Sequence, residues 1–288
     1  MHPGKAFRLK RVLDPATQTS VIVALDHGMT SPTFLPPLAE MRARTREAVR
    51  GGANVIMMSK GYARRTVEEF RGDMSLALLL TASAAGSPVP NQVVEVATVE
   101  EATCLGADAV VTFVALSTTD EAKMINLVSR VGEACERLGL VYIAEAEFPT
   151  TYRRVEELTD EYGLDYLLRN ARLCAELGAD IIKSNWPGSA EGFARIVEAT
   201  GLPTVLAGGP RISDGELLWR IEQAMRVGAV GCSVGRNVFT HEHPEAMTRA
   251  LVRVIRERWS AADALAELEG SLQERRARRA VSESGDGT

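Results

Sequence analysis

A single lysine, Lys183, lies in the apolar segment ADIIKSNWPG, where a buried strand is expected. Lysine is among the residues least often fully buried, because removing water from an ammonium group is costly unless another group compensates. Near apolar walls and other cations, burial lowers the pKa of an amine and makes it nucleophilic near neutral pH. We therefore predict that Lys183 adds to a substrate carbonyl and forms an iminium, which permits carbon–carbon bonds to form or break.

Other polar residues lie at the ends of predicted strands. Asp26 and His27 end the first strand, Lys60 follows the second, and Glu145 and Glu147 lie on the fifth. Asp26 is interpreted as holding a substrate hydroxyl or moving a proton, with capping of the next loop as the alternative. Lys60 either lowers the pKa of the buried lysine, pairs with Asp26 or points to solvent. Lys60, His27 and Glu145 are candidate substrate-binding residues.

Two glycine-rich segments follow the last two predicted strands. Gly208 and Gly209 lie in AGGP, and Gly235 and Arg236 lie in VGRN. Such loops expose backbone N–H groups, which hold a phosphate in many barrels, and a guanidinium adds donors suited to a phosphate dianion. The two motifs together predict a phosphate site and a small phosphorylated substrate.

The elements that would position these residues follow from a repeat. Four helical patterns end in Gly followed by Ala, and an apolar run then begins, which is typical of a helix cap and a short loop into a parallel strand. The glycines are Gly52, Gly106, Gly178 and Gly228. Apolar runs predict eight strands, at about 20–26, 53–59, 76–82, 108–114, 139–147, 180–185, 203–208 and 229–235.

Eight strands that alternate with helical patterns predict a (β/α)8 TIM barrel in the α/β class. A doubly wound sheet is the alternative, but no G-x-G-x-x-G follows the first strand. We expect one barrel domain over residues 1–258 with a lead-in over 1–19 that includes a short helix, then a C-terminal helix over 259–278 and a disordered tail over 279–288. The third unit offers no clear helix after its strand.

The composition excludes several classes of protein. The chain has 288 residues, a formal net charge of −5 and a pI near 5.6, which argues against nucleic acid as the main partner. No run of 18 apolar residues is present and the N-terminus lacks a secretory signal, so we expect a cytoplasmic protein with no membrane span. No His, Asp or Glu set has the spacing of metal ligands, so we expect neither a metal nor another cofactor.

Several of these motifs, in order, resemble the class I aldolases of the DeoC/FbaB type. They are VIVALDHG, GGANVIMMSKG, VEEATCLGADAV, LCAELGADIIKSN, VLAGGP and VGRNVF. Within that family the resemblance is to the archaeal-type fructose-bisphosphate aldolases and the 2-amino-3,7-dideoxy-D-threo-hept-6-ulosonate synthases. It covers about residues 8–256.

The resemblance implies a TIM barrel with the Schiff-base lysine at Lys183 and an acid/base aspartate at Asp26. It also implies a phosphate cradle at the two glycine-rich segments, formed by Gly208, Gly209, Gly235 and Arg236. A homo-oligomer, often a decamer, is the assembly that it implies.

One position of the family's pattern differs in this chain. The family has a catalytic tyrosine after the fifth strand, and this sequence has Phe148 there, in AEAEFPTTY. A phenyl ring cannot transfer a proton, so either the chain has lost the activity or another group replaces the hydroxyl. Glu145 and Glu147 share one face of the strand and, facing the lumen, meet Lys183. Glu147 is the preferred acid/base, and Tyr152 is the second choice.

The same loop bears on the substrate. An arginine of the family is replaced by Thr150, which favours a substrate with one phosphate. The resemblance then suggests that a hydroxyacetone-type donor condenses with an aldehyde such as aspartate semialdehyde. The alternatives are a fructose-bisphosphate aldolase, a thiolase-like acyl transferase of the same family and a non-catalytic barrel that binds a sugar phosphate.

Overall fold

The computed structural model describes residues 2–83, 92–116, 121–150 and 152–285. These residues form ten strands: β1 (Ser20–Ala24), β2 (Val55–Met58), β3 (Ser75–Leu79), β4 (Thr81–Ser83), β5 (Val93–Glu95), β6 (Ala109–Val114), β7 (Val141–Ala146), β8 (Ile181–Ser184), β9 (Thr204–Ala207) and β10 (Gly231–Val234). All except β4 and β5 pair in parallel and close into a barrel, in the order β1-β10-β9-β8-β7-β6-β3-β2.

Helices connect the barrel strands and surround them. They are α1 (Pro3–Val12), α2 (Met41–Arg50), α3 (Lys60–Thr66), α4 (Val99–Cys104), α5 (Glu121–Leu138), α6 (Val155–Glu176), α7 (Ala190–Thr200), α8 (Asp214–Arg226), α9 (Arg236–Phe239), α10 (Pro244–Ile255) and α11 (Ala261–Gly285). The predicted TIM barrel, with a short N-terminal helix and a C-terminal helix, is therefore confirmed. Within the described ranges, no helix is both long and apolar enough to cross a membrane.

The glycines of the Gly-Ala repeat have the conformation that the repeat predicts. Gly52, Gly106, Gly178 and Gly228 have φ of 97°, 75°, 99° and 106°. A side chain is strained in this left-handed region, whereas glycine is not, so each glycine lets the chain leave a helix and enter the next strand within a few residues.

The barrel strands are buried on both faces, as expected for a parallel sheet that is covered by helices. Alternate side chains enter either an inner cluster or the layer between strands and helices. Helix α1 closes the end of the barrel where the strands begin. Val12 and Leu13 join the inner cluster there, and Lys5 pairs with Glu136 at 2.9 Å and Asp180 at 3.0 Å.

The third unit of the barrel is irregular, in keeping with the sequence. The strand predicted over 76–82 is divided into β3 and β4, and β4 pairs with β5 in an antiparallel two-stranded sheet. Residues 84–91, between β4 and β5, lie outside the described residues, as do residues 117–120 of the polar segment after β6.

The C-terminal helix α11 packs against α8 and α10. Ala264 and Leu268 are buried in this contact, and Arg253 of α10 binds Glu267 with its Nε 2.8 Å from Oε2 and its Nη2 3.0 Å from Oε1. The helix continues to Gly285, beyond the predicted end at residue 278.

Candidate active site

The polar residues singled out in the sequence meet in a pocket at the carboxyl ends of the barrel strands. Most of its lining comes from loops after β1, β7, β9 and β10, and its deeper wall comes from the strands themselves. The predicted residues that line it are Asp26, His27, Glu145, Glu147, Tyr152, Lys183, Gly208, Gly209, Gly235 and Arg236. This is the end of a TIM barrel where active sites form.

Lys183 lies between two buried carboxylates. Its Nζ is 2.5 Å from Glu145 Oε1 and 2.9 Å from Glu147 Oε1. The lysine is 8% exposed, and the glutamates are 4% and 2% exposed. Lys183 and Glu145 are register partners on the adjacent strands β8 and β7, so the pairing of the strands itself brings the two groups together.

The charges around Lys183 set its protonation. Burial alone lowers the pKa of Lys183, but the negative charges of Glu145, Glu147 and Asp26 outweigh burial and leave the pKa above its ordinary value. The predicted lowering of this pKa is therefore wrong for the site without substrate, because that prediction assumed neighbouring cations. Burial raises the pKa of Glu145 to about 7, although the positive charge of Lys183 opposes the rise.

A tight turn after β7 directs Glu147 toward Lys183. The N–H of Glu147 donates to the carbonyl of Glu145, two residues back, at 2.9 Å. Asn170 Nδ2 on α6 donates to the carbonyl of Glu147 at 3.2 Å, and Asn185 Nδ2 donates to its Oε2 at 3.3 Å. The two glutamates thus face the lumen together, as their spacing predicts.

Phe148 is directed away from the pocket by the same turn. Its N–H donates to Asn185 Oδ1 at 2.7 Å, and its ring packs against Tyr162 and Tyr166 of α6, with centroids 6.1 and 6.0 Å away. The ring is fully buried between the barrel and its helices. Phe148 therefore has a packing role, and of the two turn residues it is Glu147 whose side chain reaches Lys183.

Asp26 and His27 form the wall after β1. Asp26 is 6% exposed, and its Oδ1 lies 3.3 Å from His27 Nδ1. The His27 ring packs edge-on against Phe239, with centroids 5.1 Å apart. A Cβ on Gly235 would lie 2.2 Å from His27 Cε1, so the glycine is required for the histidine to occupy this position.

The two glycine-rich loops lie beside each other at the pocket wall. Asn237, which is fully buried, connects them: its Nδ2 donates to the carbonyl of Gly208 at 3.0 Å and of Pro210 at 2.9 Å, and its Oδ1 accepts from the N–H of Ile212 at 2.9 Å. Burial lowers the pKa of Arg236 from its ordinary value. An arginine keeps its positive charge at neutral pH, so the loops and Arg236 together can bind a dianion.

Tyr152 crosses the mouth of the pocket. Its hydroxyl lies 3.3 Å from Thr30 Oγ1 in the loop after β1, and the Arg236 guanidinium lies over its ring, 4.7 Å from the centroid. A ring face attracts a cation and restricts its orientation. These contacts suit a residue that positions Arg236 better than one that transfers a proton at Lys183.

Lys60 is the one predicted site residue that does not line the pocket. It begins α3, and its Nζ pairs with Glu101 Oε2 of α4 at 3.0 Å, with its side chain 42% exposed. The prediction that it acts on Lys183, pairs with Asp26 or binds substrate has no support in this geometry. A helix that begins directly after β2 carries the side chain outward, away from the lumen.

Sequence reasoning did not assign a role to four buried polar residues at the site. Asn170 holds the turn after β7, Asn185 binds both residues of that turn, Asn237 connects the phosphate loops, and Ser233 lines the pocket. A signal exists for Asn170, since it is polar within an apolar helical pattern. Asn185, Asn237 and Ser233 follow or lie in strands, where their partners depend on the neighbouring strand.

The comparisons with known proteins agree with this geometry. Residues 20–241 match the model of a family described as DeoC/LacD family aldolase. The chain is 35% identical over 252 residues to the 2-amino-3,7-dideoxy-D-threo-hept-6-ulosonate synthase of Halobacterium salinarum, covering 88% of this chain and 91% of that protein. It is 32% identical over 258 residues to the 2-amino-4,5-dihydroxy-6-oxo-7-(phosphonooxy)heptanoate synthase of Streptomyces griseus, covering 88% and 90%.

Solved structures show the same barrel. One is the structure of a Schiff-base-forming fructose-1,6-bisphosphate aldolase, which superposes with a TM-score of 0.76 at 25% identity. The match covers 87% of this chain and 99% of that one.

Proposed function

This chain belongs to the DeoC/LacD family of aldolases, and from that premise we propose that it joins a phosphorylated hydroxyketone donor to an aldehyde acceptor through a Schiff base on Lys183. The single observation that carries the proposal is the buried Lys183 between Glu145 and Glu147. A lysine with an acid/base partner within hydrogen-bond distance is the arrangement that amine catalysis requires.

Glu145 is the proton carrier for Schiff-base formation. The Lys183 ammonium passes a proton along its hydrogen bond to Glu145, whose pKa of about 7 suits it to accept and return a proton near neutrality. The neutral amine adds to the ketone carbon, and the resulting hydroxyl takes the proton back from Glu145 and leaves as water. The iminium that remains is positive, so the nearby carboxylates stabilise it.

Glu147 acts at the carbon next to the iminium. Once Lys183 is bonded to the donor it has fewer N–H groups, and Glu147 Oε1 loses its contact with the ammonium. The carboxylate then removes a proton from the donor carbon and produces an enamine. That carbon attacks the aldehyde, whose oxygen takes the proton from Glu147, and water releases the product from the lysine. Asn185 keeps Glu147 oriented throughout.

The remaining residues bind the donor and the acceptor. Arg236, Gly208, Gly209 and Gly235 hold the donor phosphate, and Tyr152 holds Arg236 in place. Asp26, which is near enough to raise the pKa of both Lys183 and Glu145, holds a hydroxyl of the substrate.

The aldehyde is proposed to be one such as aspartate semialdehyde. Thr150 lines the pocket at the position where the family has an arginine, so the lining suits a substrate with one phosphate. The two synthases similar to this chain carry product names with a seven-carbon amino sugar acid, and one of these names includes a single phosphate group. A product of that kind fits one phosphorylated donor and one amino-bearing aldehyde.

The test is to trap the Schiff base. Full-length protein is mixed with dihydroxyacetone phosphate and borohydride, and digested peptides are weighed by mass spectrometry. We expect the reduced donor on the peptide that contains Lys183, and carbon–carbon bond formation with aspartate semialdehyde. The Lys183→Met variant should show neither, with a loss of activity of at least 10⁴-fold.

The control is Lys60→Met, because Lys60 lies outside the pocket and should leave trapping unchanged. An unmodified Lys183 peptide at saturating donor would contradict the proposal. If the protein cleaves fructose 1,6-bisphosphate and does not condense the donor with aspartate semialdehyde, the Schiff-base mechanism stands and the proposed substrates are wrong.

A further inference from the structure

The side chains inside the barrel are arranged in layers, and one other polar residue shares the layer of Lys183. In register, Lys183 lies opposite Val205 on β9, and Val205 lies opposite Gly231 on β10. The strands of a closed eight-stranded barrel are tilted to its axis. Residues at the same height along the axis therefore lie one residue further along each successive strand than the hydrogen-bonded register partner does. The side chain level with Lys183 on β10 is therefore that of Ser233.

The pocket is deepest beside these two residues. The same count places Met57 and Val111 in their layer, and neither lines the pocket, whereas Ala24 and Ala207 of the next layer up do. Small side chains on β1, β9 and β10 thus leave a recess, which we define by Ala24, Ala207 and Ser233. The phosphate loops follow β9 and β10, so the recess lies below them and beside Lys183.

The hydroxyl of Ser233 is buried in the wall of the pocket. It is 2% exposed, and no described part of the chain provides its Oγ with a hydrogen bond. A buried hydroxyl without a partner costs folding free energy, and alanine would fit the same space without that cost. A polar atom retained at such a cost in the wall of a pocket points to a ligand that uses it.

We propose that Ser233 is a donor-binding residue whose hydroxyl donates a hydrogen bond to the ester oxygen that joins the phosphate to the donor carbon chain. The donor extends from the phosphate loops down to Lys183, so its phosphate arm crosses the recess. Glu145 on β7 and Glu147 in the turn after it lie on the other side of Lys183, whereas Ser233 is a polar group on the side of β9 and β10, where the phosphate loops begin. The site then selects a phosphate ester. This inference rests on the proposed function.

The experiment compares dihydroxyacetone phosphate with its phosphonate isostere, in which CH2 replaces the ester oxygen. Borohydride trapping on the Lys183 peptide is followed as a function of donor concentration, which requires no aldehyde. We expect the unaltered protein to be half-saturated at a five- to tenfold lower concentration of the ester. In Ser233→Ala this gap should close, because half-saturation by the ester rises and half-saturation by the phosphonate does not change.

Ser75→Ala is the matched control. Ser75 is also buried inside the barrel, and no described residue gives its Oγ a hydrogen bond, but it lies at the opposite end, where β3 begins, and does not line the pocket. Both variants should keep or slightly raise the Tm, and only Ser233→Ala should change the discrimination between donors. Ser233→Cys, a weaker donor of similar size, should lie between the two.

Two outcomes would overturn the inference, and they differ in what they say about the proposed function. If the unaltered protein traps both donors and Ser233→Ala keeps the same gap, Ser233 does not bind the ester oxygen, but the Schiff-base activity stands. If the unaltered protein traps neither donor, the proposed function fails, and the role of Ser233 fails with it.

Discussion

At the scale of single residues, the site depends on an amine that is charged before substrate binds. Three carboxylates, those of Asp26, Glu145 and Glu147, surround Lys183 and raise its pKa. A charged amine is not a nucleophile, so the first event of the reaction has to be a proton transfer. The 2.5 Å contact with Glu145 offers the path for that transfer.

The pH dependence of the reaction follows from this proton transfer. Glu145 must be ionised to accept the proton, and its pKa is raised to about 7. As the pH falls through 7 the carboxyl group becomes protonated and the ammonium loses its acceptor. We expect kcat/KM for condensation to fall about tenfold per pH unit below 7, measured with buffered initial rates from pH 5 to 8.

Two variants separate Glu145 from other candidates for this titration. Glu145→Gln should lower kcat about 10²- to 10⁴-fold and remove the acidic limb of the profile. Tyr152→Phe keeps the ring over Arg236 and loses only the contact with Thr30, so it should keep both the limb and most of the activity. An acidic limb that is unchanged in Glu145→Gln would exclude Glu145 as the titrating group.

Residue types and spacing were sufficient to predict most of the site, and the failures have physical causes. The polar residues at the ends of predicted strands indicated where the pocket lies. The two-residue spacing of Glu145 and Glu147 predicted that both face Lys183. The sign of the Lys183 pKa shift was wrong, because it depends on distances between strands that are far apart in the chain. Of the three alternatives for Lys60, only the one that points it to solvent agrees with the geometry, and the choice could not be made from the sequence because it depends on where α3 begins.

At the scale of elements, α1 is held to the barrel by buried charge. Lys5 is 2% exposed and pairs with Glu136 and Asp180, while Asp180 Oδ2 also accepts from the N–H of Tyr142 at 2.8 Å. The side chain of Asp180 is only 16% exposed, so removing Lys5 would leave its charge largely buried without a cation, whereas Glu136 is 56% exposed and would be solvated. The contact therefore fixes α1 across the end of the barrel opposite the active site.

Lys5→Ala should consequently destabilise the protein. We expect a loss of about 2 kcal/mol in the free energy of unfolding, measured by urea denaturation. Lys10→Ala on the exposed face of α1 is the control and should change stability by less than about 0.5 kcal/mol. Equal stability of the two variants would mean that α1 does not depend on the buried pair.

The elements themselves were predictable where local signals are strong. Apolar strands and the Gly-Ala repeat predicted the eight barrel strands and four of the left-handed glycines that precede strands. The division of the third strand into β3 and β4 was not predictable, because the chain continues from one into the other without a turn signal and the change of partner depends on β5. The turn that directs Phe148 outward depends on Asn170 and Asn185, whose positions only the fold defines.

At the scale of the whole molecule, the division between the barrel and the C-terminal helix stays a prediction, and truncation tests it. A chain that ends at residue 258 lacks Ala264, Leu268 and the Arg253–Glu267 pair, and it exposes the faces of α8 and α10. We expect it to lose at least about 3 kcal/mol of unfolding free energy. A chain that ends at residue 278 should unfold like the full chain.

The contrary result would be equal stability of the 258-residue and full-length chains in urea, which would make α11 an addition without a role in the barrel. The homo-oligomeric assembly and the cytoplasmic location also stay predictions.

The uneven filling of the barrel lumen has a consequence for how new activities arise in this chain. On one half, Met57, Leu79 and Val111 occupy the lumen and carry no chemistry, while the reacting groups lie on the other half. Substitutions of these three residues should therefore leave proton transfer and phosphate binding unchanged. Shortening Leu79 would enlarge the lumen for bulkier ketones while the lysine and its acids stay in place, so this half is a natural starting point for evolving new substrates.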